Sequence, residues 1–91
     1  MIRNFKCKHT QSLYEGGKPK QFSSFQAQAE RKLQMLDNAA ELLDLRSPPG
    51  NMLEKLSGNR SGQYSIRINQ KWRICFVWLD EPTEVEITDY H

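Results

Sequence analysis

Apolar residues recur at helical spacing in the first half of the chain and alternate in the second. From Phe25 a stripe runs through Ala29, Leu33, Leu36, Ala40 and Leu43, in steps of four, four, three, four and three. That spacing lines one face of a helix. Ser23 followed by Gln26 predicts a capping box at its start, and Ser47-Pro48-Pro49-Gly50 predicts its end near Arg46. Glu30, Arg31, Gln34 and Asp37 fall between the apolar positions as a solvated face. Ahead of this helix, Ile2 to Lys6 reads as a first strand. His9 to Glu15 reads as a short helix stopped by Gly16-Gly17 and Lys18-Pro19.

After the Pro-Pro-Gly turn the period changes to two. Leu53 to Leu56 is expected to be a short strand and residues 57–62 a loop. Tyr64, Ile66 and Ile68 then alternate with Gln63, Ser65, Arg67 and Asn69. Trp72, Ile74, Phe76 and Trp78 give the next strand an apolar face of the same parity, and Thr83 to Thr88 supplies a last strand with Val85 and Ile87 inward. Helices followed by a run of strands predict an α+β fold, one domain over residues 1–91.

Register carries the argument from fold to chemistry. A turn at Asn69-Gln70-Lys71 sets Ile68 opposite Trp72 and Ile66 opposite Ile74. Arg67 then lies directly opposite Arg73, on the face away from the helix. A slip of one residue would bury half of the polar set. Like charges facing each other across a strand pair are destabilising unless an anion lies between them. If alternation holds to the end of the chain, Tyr90 points to the same face.

Charge distribution sharpens this reading. The net charge is only +2, but between Lys55 and Leu79 there are five Lys or Arg and no acid. Residues 1–14 carry Arg3, Lys6 and Lys8 with no acid, and residues 80–89 carry five acids with no base. A polyanion would be drawn to one surface and repelled from another. Ninety-one residues, 37% hydrophobic and 26% charged, suit a small soluble domain with one core. The apolar run from Ile74 to Leu79 is too short to span a bilayer. Cys7 and Cys75 make no disulfide framework, and no secretory signal precedes them. The expectation is a cytoplasmic protein with reduced thiols and no membrane partner. Cys7, His9, Cys75 and His91 lack metal-ligand spacing, so neither metal nor cofactor is expected, and Cys75 reads as an apolar filler.

Guanidinium groups bind phosphate through a planar fork of donors. Arg67 and Arg73 on one sheet face, with Arg60 on an adjoining loop and Lys55 and Lys71 nearby, suit successive phosphates of a nucleic-acid backbone. A phenol and an imidazole at the edge, Tyr90 and His91, would stack on a base or move a proton. An isolated surface arginine is usually just solvated, and a terminal histidine is by default a frayed end. Metal-free RNA cleavage nevertheless needs little more than such a set. The ribose 2′-OH attacks its own phosphate, a cation stabilises the developing charge, and an acid protonates the departing 5′-oxygen.

The ordered motifs Leu53-Glu54-x-Leu56-x-Gly58-x-Arg60, Tyr64-Ser65-Ile66-Arg67, Trp72-Arg73-Ile74-x-Phe76 and terminal Asp89-Tyr90-His91 resemble the HigB ("killer protein") toxins of the RelE superfamily. The resemblance runs from Met1 to His91. It implies a RelE-like fold, with N-terminal helices packed on one face of an antiparallel, mixed-edge sheet. It also implies an endoribonuclease that cuts messenger RNA on the translating ribosome. On that resemblance Arg73, Asp89, Tyr90 and His91 are the catalytic set, and Lys55, Arg60 and Arg67 are RNA contacts. Some relatives have a histidine where this chain has Glu54 and a lysine where it has Ser57, so Glu54, Asp89 and His91 are all candidates for the general base. The family partner is a helix-turn-helix (HigA-like) antitoxin, and the complex would bind operator DNA mainly through the antitoxin. A second expectation is a non-catalytic toxin like the ParE branch, which inhibits DNA gyrase. That branch is not expected to need the arginines and the Tyr-His end.

Overall fold

The computed structural model describes residues 1–89. Two helices, α1 (Lys8–Tyr14) and α2 (Gln26–Asn38), precede four strands: β1 (Glu54–Lys55), β2 (Tyr64–Arg67), β3 (Arg73–Trp78) and β4 (Pro82–Thr88). The strands form one antiparallel sheet in the order β1-β2-β3-β4. The N-terminal segment extends beside β4 in parallel, so that edge is mixed. It makes a single bridge, Phe5 to Val85, with Arg3 N–H donating to Pro82 O and Lys6 N–H to Val85 O. The expected first strand is therefore an extended strap rather than a full strand.

Alternation produces the core. Ile66, Ile74, Phe76, Val85 and Ile87 face inward and meet Leu13, Phe22, Phe25, Ala29, Leu33 and Leu36 from the helical layer, all buried. Trp72 sits at the edge of this core. Its ring stacks on Phe25 at 5.0 Å and meets Phe22 edge-on at 6.0 Å, which pins the start of α2 to the β2–β3 turn. The buried Thr10 hydroxyl accepts the Ile87 amide at 2.9 Å and ties α1 to β4. Among the described residues, no helix is long and apolar enough to cross a membrane.

The long helix departs from expectation at both ends. Ser23 lies in a 3₁₀ segment, Lys20–Phe25, and its hydroxyl donates back to Lys20 O instead of capping α2. At the other end α2 stops at Asn38, because the Asp44 carboxylate accepts the amides of Ala40 and Glu41 at 3.0 and 2.9 Å. In a continuing helix those amides would bond to carbonyls four residues back. The side chain wins locally and opens a 3₁₀ turn, Leu42–Arg46, through a Glu41–Asp44 capping box. The stripe is consequently cut short. Leu43, expected inward, is 64% exposed, and Leu45 is buried in its stead. Asp37 is not merely solvated either, for it accepts bonds from the Ile2 amide and the Tyr14 hydroxyl.

The strand half follows expectation closely. Ile66 pairs with Ile74 and Arg67 with Arg73, and the Ile68 amide donates to Trp72 O. One irregularity was not foreseen: a bulge shifts the register between Cys75 and Val77. Glu84 takes a left-handed conformation there (φ 49°), and its amide bonds to the Asn4 side chain.

Candidate RNA-binding face

The side of the sheet away from the helices carries most of the candidate site residues. Across its middle, Glu54, Ser65, Cys75 and Glu86 form one cross-strand row. The two central residues are small and fully buried, a floor over which longer side chains lie. Burial pushes the Cys75 thiol up to about 11, with Glu86 acting in the same direction and Arg60, Arg73 and Lys6 against it. The thiol is thus a neutral part of the floor, as the filler reading anticipated.

Arg73 reaches over this floor. Its Nη1 donates to Ser65 Oγ and its Nη2 to Glu54 Oε1, both at 3.2 Å. Two partners fix the plane of the guanidinium, which a single contact would not do. Arg60 enters from the loop after β1, in the 3₁₀ turn Gly58–Arg60, and its Nη1 lies 3.2 Å from Gln63 Oε1 and 3.3 Å from Glu86 Oε1. Lys71 pairs loosely with Asp89, Nζ to Oδ2 at 3.7 Å. Arg67 differs from these. Its Nε donates to Asn69 O and its Nη1 approaches Met52 Sδ at 3.1 Å, and among the described residues it has no carboxylate partner.

The structure therefore brings together Arg67, Arg73, Arg60, Glu54 and, at the rim, Lys71 with Asp89. It does not bring Lys55 into the group. Lys55 pairs with Tyr64, whose ring stacks on Phe76 on the core side, so alternation directs Lys55 away from Glu54 and Ser65. Tyr90 and His91 lie outside the described residues.

Sequence reasoning did not single out Ser65, Glu86 or Lys6. Ser65 and Glu86 had the right parity and no other signal. Lys6 stood in the acid-free N-terminal stretch, but only the parallel docking beside β4 carries its charge to the Cys75 side. The described residues contain no group of His, Cys, Asp and Glu that would hold a metal. A cleft of about 440 Å³ lies elsewhere, along α1 and α2, lined by Leu13, Tyr14, Glu30, Leu33 and Asp37 among others, and none of the predicted site residues line it.

A small α+β domain whose open sheet face carries paired arginines and carboxylates is suited to a polyanionic partner, and comparison with known proteins gives the family. The sequence model of the RelE-like toxin of the type II toxin–antitoxin system HigB matches residues 3–91. The chain belongs to this HigB-like toxin family. Toxin HigB-1 of Vibrio cholerae is 43% identical over 82 residues, covering 88% of this chain and 86% of the relative. Endoribonuclease HigB of Proteus vulgaris is 32% identical over 96 residues, covering the whole of both chains. Among solved structures, the YoeB–YefM complex from Staphylococcus aureus matches with a TM-score of 0.60 at 18% identity, over 100% of this chain and 98% of that one. That likeness is one of fold.

Proposed function

We propose that this toxin is an endoribonuclease that cuts messenger RNA held on the translating ribosome. The observation that carries the reading is the Arg67–Arg73 pair, cross-strand neighbours on one face, with Arg67 lacking a carboxylate partner among the described residues. Glu54 offsets the charge of Arg73 alone, so the pair keeps an excess positive charge that an anion lying over it would relieve. The name of the Proteus vulgaris relative, endoribonuclease, supports the same reading.

In the reaction Arg67 holds a phosphate and Arg73 stabilises the charge that develops when the ribose 2′-OH attacks the scissile phosphorus. A second phosphate lies toward Arg60 and Lys71. Glu54 holds Arg73 through Oε1, and its half-exposed carboxylate, open to solvent, would accept the 2′-OH proton. Asp89, Tyr90 and His91 supply the other end, protonating the departing 5′-oxygen and stacking on a base. The products carry a 2′,3′-cyclic phosphate and a 5′-hydroxyl. The ribosome supplies alignment, which contributes roughly 7–11 kcal/mol in well-oriented reactions. A helix-turn-helix, HigA-like antitoxin restrains the toxin in the cytoplasm, and their complex binds operator DNA chiefly through the antitoxin.

The test is primer extension on RNA from cells expressing the chain, with translation running or blocked. New 5′ ends that vanish when translation is blocked are expected, together with poor cleavage of naked RNA by the purified chain. Growth arrest with intact messenger RNA would place the activity on a protein target instead.

A further inference from the structure

We propose that Met52 is a specificity residue of this face, contacting a base of the bound RNA and weighting which sites are cut. The inference rests on the RNA-cleaving reading and deepens it. Met52 stands in the left-handed region (φ 45°, ψ 56°), where a side chain is costly and glycine would be at ease. The backbone around it is fixed. Asn51, fully buried, donates to Leu45 O and Ser47 O and accepts from Lys32. Two residues further on, Glu54 pairs with Ser65 in the sheet. Strain held from both sides and ending in an exposed side chain is a pattern associated with ligand contact.

That side chain is 46% exposed and reaches the rim of the cationic face, with Sδ 3.1 Å from Arg67 Nη1. A thioether is a weak acceptor, so it orients the guanidinium without using up its donors. Arg67 Nε is meanwhile tied to Asn69 O. An oriented cation beside an exposed apolar group matches the two halves of a nucleotide, phosphate and base. Methionine is unbranched and polarisable and packs on any base face. It would read the size of the neighbouring base rather than its hydrogen-bond pattern. In the sequence Met52 stands just ahead of the resembling motifs as an ordinary apolar residue.

The test compares wild type, Met52→Asn and Met52→Leu in a translating extract, with primer extension along one reporter messenger. Asparagine tolerates the left-handed backbone, so Met52→Asn should melt no lower than wild type. It removes the apolar contact, and the relative use of cleavage sites should shift by roughly fivefold or more. Met52→Leu restores an apolar group and should return the wild-type distribution. An unchanged distribution in Met52→Asn, a uniform slowing at every site, or an equal shift in Met52→Leu would each overturn the proposal. Absence of translation-dependent cleavage by wild type would instead refute the RNA-cleaving reading itself.

Discussion

Replacing Arg73 separates chemistry from folding more cleanly than any other change to this face. Its side chain is 19% exposed, and its guanidinium holds two contacts at 3.2 Å, one to Ser65 and one to Glu54, whose side chain is 47% exposed. In Arg73→Ala the released Glu54 carboxylate is open to water, so the lost ion pair costs no more than about 1 kcal/mol. The bond to the buried Ser65 hydroxyl adds about 1 kcal/mol, and stability should fall by about 2 kcal/mol. A cation aimed at a developing negative charge is worth more, about 3–4 kcal/mol, or 10²- to 10³-fold in rate. Arg73→Lys keeps the charge but cannot span both partners, so its rate should lie between the two. Urea melts give the stability term, and cleavage rates in a translating extract give the other. Wild-type cutting by Arg73→Ala would refute the charge assignment. A stability loss well beyond 2 kcal/mol would make Arg73 a structural residue.

Other expectations follow from the same geometry. Arg67→Ala should weaken binding of a 2′-deoxy-blocked RNA oligonucleotide and flatten the salt dependence by about one phosphate contact; an unchanged slope would mean that Arg67 meets no phosphate. Glu86→Gln keeps an acceptor for Arg60 while removing a negative charge, and should tighten binding of the same oligonucleotide in anisotropy titrations, most visibly at low salt. Cys75 ionises in the unfolded chain near its ordinary value of 9.0 but only near 11 in the fold. Its contribution to stability is therefore intact below about pH 9 and lost as pH climbs toward 11. The loss is about 2–3 kcal/mol, from about two units at about 1.4 kcal/mol each. Cys75→Ala should flatten that part of the pH–stability curve measured by urea melts, and an equal slope in both proteins would exclude the thiol as its source. Deleting Tyr90 and His91 should abolish growth arrest and leave the melting temperature within a few degrees of the parent; full toxicity after deletion would remove both residues from the site.

What could be read from the sequence, and what could not, divides along the range of the interactions. The Arg67–Arg73 register was legible because strand alternation is strict and the Asn69-Gln70-Lys71 turn leaves few ways to pair two apolar faces. Asn69 reinforces it, its side chain accepting the amides of Lys71 and Trp72. The end of α2 was not legible, because Ala40 and Leu43 keep helical spacing and the decision lies with one carboxylate, Asp44. The N-terminal strap beside β4 depends on residues some eighty positions apart, which no local pattern encodes. Lys6 was missed on the cationic face for that reason. Lys55 was placed by charge and motif, and a two-residue strand then turned it to the other side.

The carboxylates on this face bear on how such a toxin coexists with the RNA around it. Arg73 is held by Glu54, Arg60 by Glu86 and Lys71 by Asp89. A surface of unscreened arginines would bind any RNA through its backbone, with affinity set by charge alone. Each carboxylate lowers that indiscriminate attraction, because a phosphate must displace or tolerate it to reach the cation. The same acids orient the guanidinium groups before substrate arrives, which lessens the reorganisation needed in the transition state. On the proposed function, Arg67, outside this pairing, would give the first phosphate a place to land, with Arg73 directly across the strand pair from it. On the proposed function, weak binding to free RNA and effective cutting of RNA held by another particle would be two consequences of one charge pattern. Removing Glu86, the acid of these three that lies outside the proposed catalytic set, should improve the first without loss of the second.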